Sequence, residues 1–244
     1  MNNKNQEDVI IFALARTGSE SLYNIFNLHE NLECISEPFN KSNNYTYHAG
    51  NEEELSSSLN DIRGQFNLIK HVWDPKGWPF QDASLNKSLV RRFKKVIFLN
   101  RKSVFERLVS AEICRQSKVW HIRTLDQRKI IDELEFSPLN ERAIQWAVEN
   151  ENRIVKQYID FFNAEQIAFY EVYYEDIFHS ETRGLQRIDE MLDFMELNHF
   201  SGKYEVTLRS LLNRENKIVT ENVLSRIPNY LEMKNKYAGQ ECFR

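Results

Sequence analysis

The run from Val9 to Leu14, VIIFAL, is apolar at every position. So short and uniform a run, rich in branched side chains, predicts a strand covered on both faces, as in a parallel sheet. Leu22, Ile25 and Phe26 then recur at helical spacing, which predicts a helix whose apolar side faces that sheet. Between them lies Gly18, the first glycine of the chain, where the backbone must turn sharply, with Ser19 placed to cap the helix.

The same two periodicities carry on along the chain. Leu32 to Ile35 predicts a second short strand, running into Ser36-Glu37-Pro38-Phe39 and stopped by Pro38. Asn51 followed by Glu52, Glu53 and Glu54 opens a helix with Leu55, Leu59 and Ile62 on its apolar side, and Gly64 ends it. Strands are expected at Phe66 to Trp73, Val96 to Asn100 and Ile167 to Val172, and a helix over Ala83 to Phe93. Ser103 and Glu106 have capping-box spacing and open a helix reaching Ser117. Leu139 to Phe162 reads as a long amphipathic helix whose stripe of Ala143, Trp146, Ile154, Tyr158 and Phe161 is core. Ile188, Met191, Leu192 and Met195 mark another helix, and the tail from Lys217 to Tyr230 is expected to be loop-rich. Strands alternating with helices define the fold class: α/β, a three-layer αβα arrangement around a central parallel sheet, with residues 1–244 forming one domain.

Composition narrows the function. A formal net charge of -4 gives no overall field for nucleic acid, so a basic site must be local. The cysteines, Cys34, Cys114 and Cys242, and the six histidines are dispersed without ligand spacing, so neither a disulfide framework nor a bound metal is expected. The opening MNNKNQED is polar and no long apolar run follows, which implies neither a leader nor a membrane anchor and places the protein in the cytoplasm.

Chemistry concentrates at the strand-to-helix junctions. Unpaired amides and the dipole at the start of the first helix form an anion site, to which Arg16, Thr17, Gly18, Ser19 and Ser21 add a cation, a flexible turn and hydroxyl donors. The loop lacks the GxxxxGK[ST] pattern, which disfavours ordinary ATP chemistry. Glu37 falls at the carboxyl end of a strand, where ligands gather in parallel sheets, although a solvated loop residue fits the same position. Arg101 directly follows a strand, and Ser110 lies two helical turns past the cap on nearly the same side, so both could converge on one ligand. The alternative is an Arg paired with a neighbouring carboxylate and a Ser tolerated in mid-helix. Tyr45, Tyr47 and His48 among asparagines in residues 40–50 suit a sugar contact or an ordinary surface loop.

Taken in order, these segments resemble the sulfotransferases that use 3′-phosphoadenosine 5′-phosphosulfate (PAPS). ARTGSESL at Ala15 to Leu22 is similar to the family's 5′-phosphosulfate loop, and VIFLNRKSVFERLVS at Val96 to Ser110 to its 3′-phosphate motif, with Arg101 and Ser110 at the contact positions. YEDI at Tyr174 to Ile177 matches a late family segment. SEPF at Ser36 to Phe39, KHVW at Lys70 to Trp73 and RQSKVW at Arg115 to Trp120 bring the likeness nearest to the bacterial glycolipid type, including the trehalose sulfotransferases. The resemblance implies a P-loop-like sulfotransferase fold, PAPS as donor without a metal, and transfer of a sulfuryl group to a hydroxyl of a carbohydrate or glycolipid. It implies Glu37 as general base, with His71 as the rival base from the cytosolic branch of the family, and Arg16 on the leaving phosphate. An ATP-dependent phosphotransferase, with Asp74 or Asp176 binding magnesium, and a non-catalytic binding relative are the other readings; a homodimer is left open. Glu20 departs from the pattern, because the family has a neutral residue there, and a carboxylate facing the phosphates would repel them by about 1 kcal/mol or more.

Overall fold

The computed structural model describes residues 8–80, 82–213, 218–237 and 239. Cys242, Lys217 and the opening segment 1–7 lie outside the described residues. Five strands, β1 (Val9–Leu14), β2 (Cys34–Ser36), β3 (Leu68–Trp73), β4 (Lys95–Asn100) and β5 (Ala168–Tyr173), form one sheet in the order β2-β3-β1-β4-β5. Every pairing is parallel, as the apolar runs imply. The strand order reverses beside β1, so the loop that follows Leu14 leaves from the switch point of the sheet, the usual place for a ligand.

The chain divides into two compact units, Met1–Asn100 with Gln157–Asn213, and Arg101–Lys156 with Arg214–Arg244. The first contains the sheet. Alternation along its strands separates two buried faces. One face collects Val9, Ile11, Ala13, Leu68, Ile97 and Leu99 under α1 (Ser19–Phe26), α7 (Tyr174–Phe178), α8 (Glu181–Phe194) and α9 (Glu205–Asn213). The other is aromatic: Phe12, Trp73 and Phe98 pack on Tyr158 and Phe162 of α6 (Glu141–Ala164), with ring centroids 4.5 to 6.5 Å apart. Helices on both faces make the three-layer arrangement expected of the α/β class. α2 (Glu52–Arg63) starts where its acidic run indicates, with Asn51 Oδ1 accepting the Glu54 N–H at 2.9 Å, and α3 (Ser84–Val90) follows β3.

The second unit is helical, built from α4 (Val104–Ser117), α5 (Leu125–Glu133), the amino-terminal part of α6, α10 (Glu221–Ser225) and α11 (Tyr230–Tyr237). Ser103 caps α4, but Glu106 sends its carboxylate to Arg101 at 2.9 Å. Two expectations change here. Within the expected loop-rich tail lies the short helix α10, and Arg226 fastens that stretch by donating to the Ile131 and Leu134 carbonyls at 2.7 Å each. Within α6 the buried positions are Ile144, Ala147, Val148, Glu151, Val155, Tyr158 and Phe162, whereas Ala143 and Trp146 face outward. Of the expected stripe Tyr158 is buried, Ile154 and Phe161 are half-buried, and the inward side also carries Glu151, buried and paired with Arg107.

His71 lies on the aromatic face of the first unit. Its ring stacks on Phe12 and Phe80 at 5.8 and 5.4 Å, and its Nε2–H donates to Asn86 Oδ1 at 2.8 Å. Burial pushes its pKa down to about 4, outweighing the Asn86 hydrogen bond and the charge of Glu37, both of which favour the imidazolium. Because the folded pKa lies below the unfolded value of 6.5, the unfolded chain binds the extra proton. This part of the stability is complete above about pH 6.5 and is lost as the pH falls toward 4. Urea denaturation of the native chain between pH 7 and pH 4.5 should therefore show a slope containing up to about 1.4 kcal/mol per pH unit from this side chain. His71→Leu should flatten that slope, and an equal slope in the two proteins would contradict a buried neutral imidazole.

Candidate functional site

The loop after β1 is shaped by two residues in the left-handed region, Arg16 at φ 68° and Gly18 at φ 86°. Between them Thr17 is fully buried and donates its hydroxyl to the Leu14 carbonyl at 2.8 Å. The Thr17 side chain thus ties the loop to the end of β1, a structural role. Gly18 is the N-cap of α1 and has no side chain to cover the amides of the first turn. The first helical bond runs from Leu22 N–H to Gly18 O at 3.1 Å, so the amides of Ser19, Glu20 and Ser21 precede the helical ladder, at its positive end. The glycine is required by sterics as well as by φ: an added Cβ would stand 2.6 Å from Tyr174 Cδ2 and 2.9 Å from Phe178 Cε2. The late YEDI segment therefore closes on the anion loop.

Glu37 extends the pairing of β2 with β3 by one step, donating its N–H to the Lys70 carbonyl at 2.7 Å. It then turns away at φ 49°, a left-handed conformation that costs a residue with a Cβ of the order of 1 kcal/mol. Its carboxylate is held at both oxygens: Oε1 lies 2.8 Å from Lys70 Nζ, and Oε2 accepts from Asn40 Nδ2 at 2.9 Å. Lys70 is the central group of this cluster. It occupies the middle of β3 with its side chain 2% exposed, and its ammonium also meets Glu20 Oε2 at 2.5 Å. The Tyr23 ring lies below it, 5.8 Å from the ammonium. Glu20, the residue at odds with the phosphate-loop pattern, thus has an oxygen on a buried cation.

The structure brings Arg16, Thr17, Gly18, Ser19, Ser21 and Glu37 to the carboxyl ends of β1 and β2, the two strands that flank β3, within the first unit. His71, next to Lys70 in sequence, points through the opposite face into the aromatic layer, since consecutive strand residues alternate. Arg101 and Ser110 belong to the second unit; Arg101 carries Glu106 on its guanidinium, and Ser110 is buried in α4. Asp176 pairs with Arg183 at 2.7 Å. Among the described residues no three His, Cys, Asp or Glu gather as a metal-binding group, and no helix is long and apolar enough to cross a membrane.

Lys70 and Asn40 are the members of the site that sequence reading did not select. A signal for Lys70 was present, because a lysine between Leu68-Ile69 and Val72-Trp73 must be buried and therefore must be paired. Nothing in the sequence identified its partners.

The profile of the Stf0 sulphotransferase family matches residues 79–206, a span that contains Arg101, Ser110 and the YEDI segment and begins after the anion loop. No curated protein matches the chain. Among solved structures, mouse sulfotransferase SULT7A1 complexed with PAP is similar over 97% of this chain and 83% of that one, at 8% identity and a TM-score of 0.45. With more than half of its 244 residues matched by that profile, and with the parallel sheet and strand-end loop already described, the chain belongs to the Stf0 sulphotransferases.

Proposed function

We propose that the protein transfers the sulfuryl group of PAPS in line to a hydroxyl of a carbohydrate or glycolipid, and that the whole chain serves as one catalytic domain. The observation that carries this reading is the pairing of a strand-end carboxylate, Glu37, with an anion loop whose helix start is tied to it through one ammonium. The loop amides, Arg16 and the hydroxyls of Ser19 and Ser21 receive the 5′-phosphosulfate. Arg16 and the amides stabilise the charge that collects on the leaving phosphate as the S–O bond breaks. Such a transfer asks little covalent chemistry of the protein, so positioning and a preorganised positive field supply most of the acceleration.

Glu37 takes the proton of the acceptor hydroxyl as its oxygen bonds to sulfur. What favours it over His71 is access and alignment: its carboxylate is oriented by two N–H donors at a strand end, while the imidazole is enclosed by Phe12, Phe39 and Phe80. Arg101 and Ser110 are assigned to the 3′-phosphate on the family resemblance, which is what separates PAPS from ATP. The acceptor is assigned to residues 40–50, where the exposed ring of Tyr45 offers a face for a sugar. The pairing of Glu20 with Lys70 offsets part of its charge, which supports the catalytic reading over that of a non-catalytic relative. We place the protein in the cytoplasm.

Ligand linkage tests the donor. 3′,5′-Bisphosphoadenosine at one hundred times its Kd should stabilise the protein by about 2.7 kcal/mol, read as a rise in Tm, while ATP at the same concentration should not; equal shifts would return the phosphotransferase reading. Arg16→Ala should lower kcat about 10²- to 10³-fold, and a wild-type rate would contradict its role. Glu37→Gln should lower kcat about 10²- to 10⁴-fold while 3′,5′-bisphosphoadenosine still binds, measured by calorimetry beside turnover.

A further inference from the structure

The buried ammonium at Lys70 takes no part in proton or sulfuryl transfer itself, although its location is costly. An ammonium taken from water loses several kcal/mol of hydration unless its partners restore it, and one carboxylate would suffice to neutralise it. Lys70 instead holds two, Glu20 at 2.5 Å and Glu37 at 2.8 Å, which leaves the trio with one net negative charge. The two carboxylates have different stations. Glu20 rides in the first turn of α1, beside the amides that await an anion. Glu37 stands at the end of β2, with its second oxygen on Asn40.

We propose that Lys70 is a positioning residue with two separable duties. It masks the charge of Glu20, so that a doubly anionic phosphosulfate can approach the helix start, and it fixes the plane and position of the Glu37 carboxylate for proton removal. This deepens the reading of Glu37 as base and rests on it. All three groups lie in the first unit, so the geometry is local. The reasoning turns on the sign of each charge. Without the ammonium, the carboxylate of Glu20 would lose a cation that offsets its charge at the entry of the anion site, which weakens donor binding. Glu37, tethered only at Oε2, would lose alignment, and misplacement of a catalytic group by about 1 Å costs on the order of 10²-fold in rate. The two losses therefore belong to different measurements, donor affinity and kcat.

Lys70→Met removes the ammonium and keeps most of the stem. Calorimetry with 3′,5′-bisphosphoadenosine should show Kd weakened about 5- to 30-fold, and saturating turnover should show kcat lower by about 10- to 100-fold. Adding Glu20→Gln to Lys70→Met should restore Kd to within about three-fold of wild type while kcat stays low, a split that general loosening of the fold does not produce. Should Lys70→Met fail to fold, the double variant, which has lost one of the two stranded carboxylates, serves alone: wild-type affinity with depressed kcat supports the proposal. A wild-type kcat in the double variant, or a Kd that Glu20→Gln does not rescue, overturns it. Glu37→Gln measured in parallel keeps the two ideas apart. Unchanged kcat in that variant removes the base assignment, whereas a depressed kcat beside an unaffected Lys70→Met removes only the positioning role.

Discussion

One ammonium, nearly withdrawn from solvent in the middle of β3, sets the electrostatics of the site. A cation at that depth is tolerable only when its neighbours replace the lost hydration, so Lys70 dictates that carboxylates converge on it. Those carboxylates come from the first turn of α1 and from the end of β2, elements separated in sequence but adjacent in the sheet and on its α1 face. The anion loop and the carboxylate end of β2 are thus held in register by charge as well as by the ladder. That second constraint matters because Glu37 leaves the ladder in a strained left-handed conformation, which persists only where surrounding contacts insist on it.

Strand parity explains why Lys70 and His71, neighbours in sequence, meet such different environments. A step of one residue moves a side chain from the α1 face to the aromatic face. On the first it meets carboxylates; on the second it meets Phe12, Phe39, Phe80 and the Asn86 amide. Aromatic packing around a neutral imidazole serves the core, and the adjacent ionic cluster ties α1 and the end of β2 to β3. The sheet therefore separates an aromatic layer from a largely aliphatic one, and the ionic cluster is set into the second.

Much of the first unit was legible in the sequence because its signals are local and agree with one another. The uniform run Val9 to Leu14, the single glycine before Ser19 and the acidic start after Asn51 each specify an element without reference to distant residues, and each element is present. The phase of α6 was not legible, since Glu151 is inward only because Arg107, 44 residues earlier, meets it. For the same reason Glu20 looked like a defect. Its partner is 50 residues away, on a strand whose lysine the sequence reading did not single out, and the pairing became visible only when the fold joined them. The tail read as loop because α10 is five residues long, too short for a clear period, and the stretch is fixed by side chains such as Arg226 and Asn229 reaching distant carbonyls.

The contact of Tyr174 and Phe178 with the vacant side of Gly18 gives the loop an unusual dependence on time. Residues 15 to 18 cannot acquire their final enclosure from local sequence, because the rings that cover them are encoded more than 150 positions later. During synthesis the strand and helix around the loop can be assembled early, yet the loop stays uncovered until α7 has cleared the ribosome and docked. The enclosure of Gly18 is thereby deferred until the last strand of the sheet, β5, and the helix that continues from it are in place.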